Sequence, residues 1–121
     1  MKLLPSGAHG VKTLGIVAIA FALGYHPTPA RLGVSAQEFR LTLSKPAVKA
    51  GVLEIELQND GEDPHDLRVR RVGGSHTFAI PLTQPGKRRT VAIRVRPGRY
   101  RLWCSVADHR ALGMQALLRV R

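Results

Sequence analysis

The chain has 121 residues, which leaves room for one domain and a short extension. Twelve Gly and eight Pro set among short apolar runs argue against a helical bundle, and a single Cys excludes an intramolecular disulfide. A formal net charge of +11 raises nucleic acid as a partner. However, no aromatics interleave with the basic residues and no groove-reading helix is evident, so that class is set aside.

In chain order, residues 1–36 read as a targeting segment outside the fold. Lys2 and Lys12 supply a positive start, and Leu14 to Leu23 form an uncharged apolar run shorter than the ~20 residues that span a bilayer. Val34-Ser35-Ala36 offers the small residues a signal peptidase accepts, with Thr28-Pro29-Ala30 as a closer alternative. The expectation is a signal peptide. The alternative is an uncleaved N-terminal anchor, with residues 24–36 as a short tether. In both cases the folded part, residues 37–121, is exported and lies in the periplasm or outside the cell, membrane-anchored in the second.

From Gln37 onward, apolar and polar residues alternate with the period of half-buried strands. Phe39, Leu41 and Leu43 form one inward set, and Leu53, Ile55 and Leu57 a second. Asn59 to Pro64 is a polar loop that leads into His65, Leu67 and Val69 on one face. Residues 73–90, interrupted by Gly73-Gly74, Pro81 and Pro85-Gly86, read as irregular, with Phe78 and Ile80 pinning them to the core. Val91, Ile93 and Val95 form the next strand, Pro97-Gly98 a tight connection to Arg99–Cys104, and Met114, Ala116, Leu118 and Val120 the last inward set. Six to eight strands without heptads or repeats predict an all-β, antiparallel two-sheet sandwich.

The chemistry concentrates near the C-terminus. Cys104, His109 and Met114 stand at a Cys-x4-His-x4-Met spacing, on a loop that can fold back between two strands. These soft and borderline donors select copper over magnesium, calcium or manganese. His65 is the natural fourth ligand, because its parity with Leu67 and Val69 points it inward; Cys104 shares inward parity with Leu102 and Tyr100, and Met114 with Ala116. Two His and a Cys with a weaker axial Met form the blue-copper electron-transfer pattern. His76 reads as an exposed loop residue, and His9 and His26 fall in the targeting segment.

The run Pro97-Gly98-Arg99-Tyr100-Arg101-Leu102-Trp103-Cys104, the Cys–His–Met loop, and the segment Asn59-Asp60-Gly61-Glu62-Asp63-Pro64-His65-Asp66 together resemble the cupredoxins, the plastocyanin and azurin group. The resemblance covers residues 37–121. It implies a Greek-key β-sandwich with one type 1 copper ion held at one end by His65, Cys104, His109 and Met114, under a partly exposed His109. It also implies that the residue after the first His ties the two ligand loops together. Many members carry Asn there; this chain has Asp66, which can accept the same kind of backbone hydrogen bond, with Ser105 and Asn59 as its neighbours around the ligands.

Trp103 has parity opposite to Cys104 and is expected on the outer surface, on a face made cationic by Arg99 and Arg101. It is a candidate electron route. The small and apolar residues Ala107, Ala111, Leu112 and Gly113 around His109 suit brief docking. No Ser–His–acid set, zinc-type Cys pair or phosphate-binding loop competes, so a carrier is expected and not an enzyme. The expected partner is an acidic redox protein or a membrane-associated oxidoreductase, with membrane-surface association through the basic face as a further expectation. Alternatives to electron transfer are copper storage or delivery, and a sandwich used only for adhesion.

Overall fold

A computed structural model describes residues 27–121, and the expected targeting run at residues 1–26 lies outside the described residues. Among the described residues, nine strands form two sheets: β1 Ala30–Gln37, β2 Arg40–Leu43, β3 Ala47–Val48, β4 Gly51–Asn59, β5 His65–Arg71, β6 Thr77–Thr83, β7 Arg88–Val95, β8 Gly98–Trp103 and β9 Gln115–Val120. One sheet runs β2-β1-β4-β7 and the other β3-β9-β8-β5-β6. The period-two sets meet between them. Leu53, Ile55 and Leu57 of β4 face Leu67, Val69, Leu102 and Leu118 in one closed core, each at most 1% exposed. Tyr100 joins that core, and its hydroxyl accepts the Arg96 backbone N–H at 3.0 Å, closing the β7–β8 turn.

Four expectations are corrected. The fold begins before residue 37: β1 is a central strand whose Leu32, Val34 and Ala36 are buried, because the same alternation that marks later strands already runs through the segment assigned to the tether. The sheets are mixed and not purely antiparallel, since β1 runs parallel to β4 and β3 parallel to β9. Residues 77–83, expected as irregular, form β6. That strand lies at the edge of its sheet, and Pro81 falls at the register shift between the paired Ile80 and Thr83, a position where proline is tolerated. Phe39 does not continue an inward strand either. It sits on the β1–β2 turn, and Leu41 enters the core without it.

Candidate metal centre

Two chain segments meet at one end of the sandwich. His65 opens β5 with its side chain inward and fully buried. Cys104 follows directly on β8 and is also fully buried, as its parity with Leu102 requires. Residues 105–113 then form a tight series of turns that returns the chain to β9, where the Cys104 N–H donates to the Met114 carbonyl at 3.1 Å and the Met114 N–H to the His109 carbonyl at 3.0 Å. Gly113 is required in this return: its φ is +126°, and a Cβ there would lie 2.8 Å from the Phe39 carbonyl oxygen.

The result is a buried triangle of donors. Cys104 Sγ lies 3.8 Å from His65 Nδ1 and 3.7 Å from His109 Nδ1, and the three donor atoms fall within 4.8 Å of one another. For metal bonds of about 2.0–2.1 Å to imidazole and about 2.3 Å to thiolate, trigonal angles require an S···N separation of about 3.7–3.8 Å. Both observed S···N distances match, as a single ion shared by the three donors requires. Met114 is fully buried and bonded through its backbone to both Cys104 and His109, which places the thioether residue beside the triangle. Burial pushes the Cys104 thiol above its usual range, so a cation is needed to hold the thiolate that binds it.

The surrounding residues fix these ligands. Asp66 has parity opposite to His65 and lies on the face of Arg68, where its bonds to the loop after Cys104 bury it. Its Oδ1 accepts the Ser105 N–H at 2.6 Å, its Oδ2 takes the Ser105 hydroxyl, and Arg68 Nε approaches at 3.3 Å, so Asp66 ties the His65 strand to the Cys104 loop. Asn59 is fully buried. Its amide donates to the carbonyls of Asp63 at 2.8 Å and Thr83 at 2.9 Å while its Oδ1 accepts the Gly61 N–H, which shapes the loop before His65.

Three residues at the centre lie outside the sequence-derived set: Glu38 and Phe39 on the β1–β2 turn, and Asp63 in the loop before His65. Glu38 places Oε1 2.7 Å from His65 Nε2, and the Phe39 ring lies 5.2 Å from the His109 ring. Glu38 also accepts the Glu62 and Asp63 backbone N–H groups, at 3.0 and 2.7 Å, and these bonds hold its carboxyl down at about 2. The acidic residue on an otherwise basic segment is the only signal in the sequence that could have singled it out. The His109 ring packs 5.1 Å from the His65 ring, with Asp63 Oδ2 3.6 Å from its Nε2.

His109 itself is 6% exposed, with the Phe39 ring against it, and the exposed Ala111 and Leu112 follow it on the ligand loop, Leu112 at 51% exposure. Trp103 is half-buried on the outer face, covalently next to Cys104, with the Arg110 guanidinium 4.3 Å from its ring centroid. Around it the register sets Arg68 opposite Trp103, Arg70 opposite Arg101, and Arg99 opposite Arg119, so this outer sheet face is strongly cationic.

The fold is that of the cupredoxins, and within it the buried His65, Cys104 and His109 form a cluster able to hold a metal ion, with the buried Met114 beside it. Auracyanin A, described as a blue copper protein from the green thermophilic photosynthetic bacterium Chloroflexus aurantiacus, superposes with a TM-score of 0.63 at 17% identity, over 78% of this chain and 100% of that one. Auracyanin B gives 0.62 at 17% identity, over 80% of this chain and 93% of that one. A purple cupredoxin from Nitrosopumilus maritimus gives 0.54 at 21% identity, over 76% and 99%. No protein-family model matches the sequence, and no curated protein sequence matches it.

Proposed function

We propose that this chain is an exported one-electron carrier, periplasmic or extracellular, that works through a single type 1 copper ion. The observation that carries the proposal is the buried triangle of Cys104 Sγ and two histidine Nδ1 atoms, spaced for trigonal coordination and flanked by Met114. Copper bound there supplies a Cu(II)/Cu(I) couple. The protein contributes rigidity and exclusion of water. His65, Cys104 and Met114 are fully buried, and the Asp66–Ser105 and Asn59 bonds keep the ligand loops in place, so the ligands have little room to rearrange between oxidation states. Four protein donors leave no open position of the kind a catalytic metal keeps for substrate, which favours a carrier over an enzyme.

Electrons have two short ways out. One is through His109 to the apolar rim of Phe39, Ala111 and Leu112, which suits brief contact. The other is sideways through Trp103, which adjoins Cys104 and carries Arg110 on its ring. The arginines of that face favour an acidic redox protein or the acidic docking face of a membrane-associated oxidoreductase.

The test is the visible spectrum of the full chain loaded with Cu(II). An intense copper–thiolate band is expected, and Cys104→Ala abolishes it. Absence of the band, or its survival in that variant, overturns the copper–thiolate assignment. A normal band without electron exchange with small donors overturns the carrier role and moves the assignment to copper delivery.

A further inference from the structure

The β1–β2 turn places a carboxylate against a ligand imidazole. Glu38 Oε1 stands 2.7 Å from Nε2 of His65, a histidine with no exposed surface, while the other ring nitrogen, Nδ1, faces Cys104 Sγ. An ionised carboxylate only accepts hydrogen bonds, so the nitrogen facing it must carry the proton. The lone pair of the neutral ring is then on Nδ1, on the side where the donors converge.

We propose that Glu38 is a positioning residue of the metal centre: it sets His65 in its metal-binding tautomer and orientation, and its charge biases the site toward Cu(II). This rests on the copper assignment above. Carboxylates that hold a ligand histidine from its far side raise the basicity of that ligand and fix its ring. An anion next to the ligand shell also stabilises the more highly charged oxidation state.

The placement of Glu38 is built from two directions. The backbone N–H groups of Glu62 and Asp63 both point at the carboxylate, so the loop leading to His65 is folded around it. Gly61 leaves the room: a Cβ there would lie 2.5 Å from Oε1 and 2.6 Å from Oε2 of Glu38. The turn and the ligand loop are thus shaped to each other across 27 residues of sequence.

Three variants of the full chain separate charge, hydrogen bond and position. Glu38→Gln keeps an acceptor and loses the charge; Glu38→Ala loses both; Gly61→Ala leaves Glu38 intact but drives its carboxylate aside. Glu38→Gln is expected to weaken Cu(II) binding relative to Cu(I) about tenfold, which converts to a rise in reduction potential of about 59 mV for one electron. Glu38→Ala is expected to exceed this, and Gly61→Ala to move the potential the same way while the copper–thiolate band persists. Unchanged potentials in copper-loaded Glu38→Gln and Gly61→Ala overturn the proposal without touching the copper assignment. A second readout needs no metal. In the metal-free chain, nitrogen NMR of His65 is expected to show the proton on Nε2, protected from exchange, with that protection lost in Glu38→Ala. A proton on Nδ1 in the unaltered chain overturns the proposal whether or not copper binds.

Discussion

Removing β1 is expected to unfold this domain. A chain that begins at Gln37 lacks Leu32, Val34 and Ala36, all within 2% of complete burial. Burial of a Leu or Val side chain stabilises by about 1.5–3 kcal/mol, so Leu32 and Val34 together account for about 3–6 kcal/mol. The loss does not stop there. β2 is an edge strand that pairs only with β1, so Leu41 loses its support, and β4 is left with a bare edge where seven residue pairs stood. Against a typical total stability of about 5–15 kcal/mol, the deletion removes most or all of it. The assay compares chains starting at Pro27 and at Gln37 by circular dichroism during urea unfolding. A cooperative transition at a similar midpoint in the shorter chain would refute the reasoning. The same logic constrains processing. A cut after Ala36 excises a central strand, so if a leader is removed, the resulting N-terminus, read by mass spectrometry, is expected ahead of Leu32.

Reversing charge on the outer sheet face through Arg70→Glu with Arg101→Glu is expected to slow reduction of the copper-loaded protein by an anionic small-molecule donor by about tenfold or more at low salt. Stopped-flow rates for the two proteins should converge as the screening length falls to ~3 Å near 1 M salt, and a difference that persists there would contradict electrostatic steering. In the metal-free protein, the Ser35 hydroxyl holds the Asp60 carboxyl below its ordinary value of 3.8, through a 2.5 Å hydrogen bond. A depressed carboxyl stabilises the fold above its unfolded value, and the contribution is lost as pH falls through the folded one. Ser35→Ala is therefore expected to make stability less steep with pH below about 4, as judged by urea midpoints across that range.

What the sequence makes legible is what depends on alternation. Parity carried His65 and Cys104 inward because each sits at a strand end, where the neighbours Leu67 and Leu102 leave no choice of face. The Cys–His–Met spacing worked for a related reason: a loop of that length between hydrogen-bonded strands has few ways to return. Alternation fails at turns. Glu38 and Phe39 read as outward and inward members of one strand, yet they lie on a turn, and both face the ligand rings. Their partners are a loop more than 20 residues away, which no local period encodes. Asp66 is a third instance: its parity points it outward, and it is buried by bonds to Ser105, 39 residues away, which no local period encodes. The missed β1 has a different cause. Its small, weakly apolar alternation lies just after a targeting pattern, and the stronger signal governed the boundary.

The charges of this molecule divide by distance from the metal centre, and the division separates thermodynamics from kinetics. Glu38 and Asp63 each face the outer nitrogen of a ligand histidine, and Asp66 braces the Cys104 loop, so the nearest formal charges are negative in a chain whose total is +11. Glu38 and Asp66 act through short hydrogen bonds at partly or fully desolvated positions, where added salt screens little. The arginines around Trp103 lie on the open sheet face, where their field reaches a partner through water and fades with ionic strength. If the proposed redox role holds, a substitution near Glu38 is expected to alter which oxidation state is preferred, and one near Arg101 how often a partner arrives. On that proposal, the lone acidic residue of the β1–β2 turn bears on the chemistry of the centre more directly than the excess of basic residues that dominates the composition.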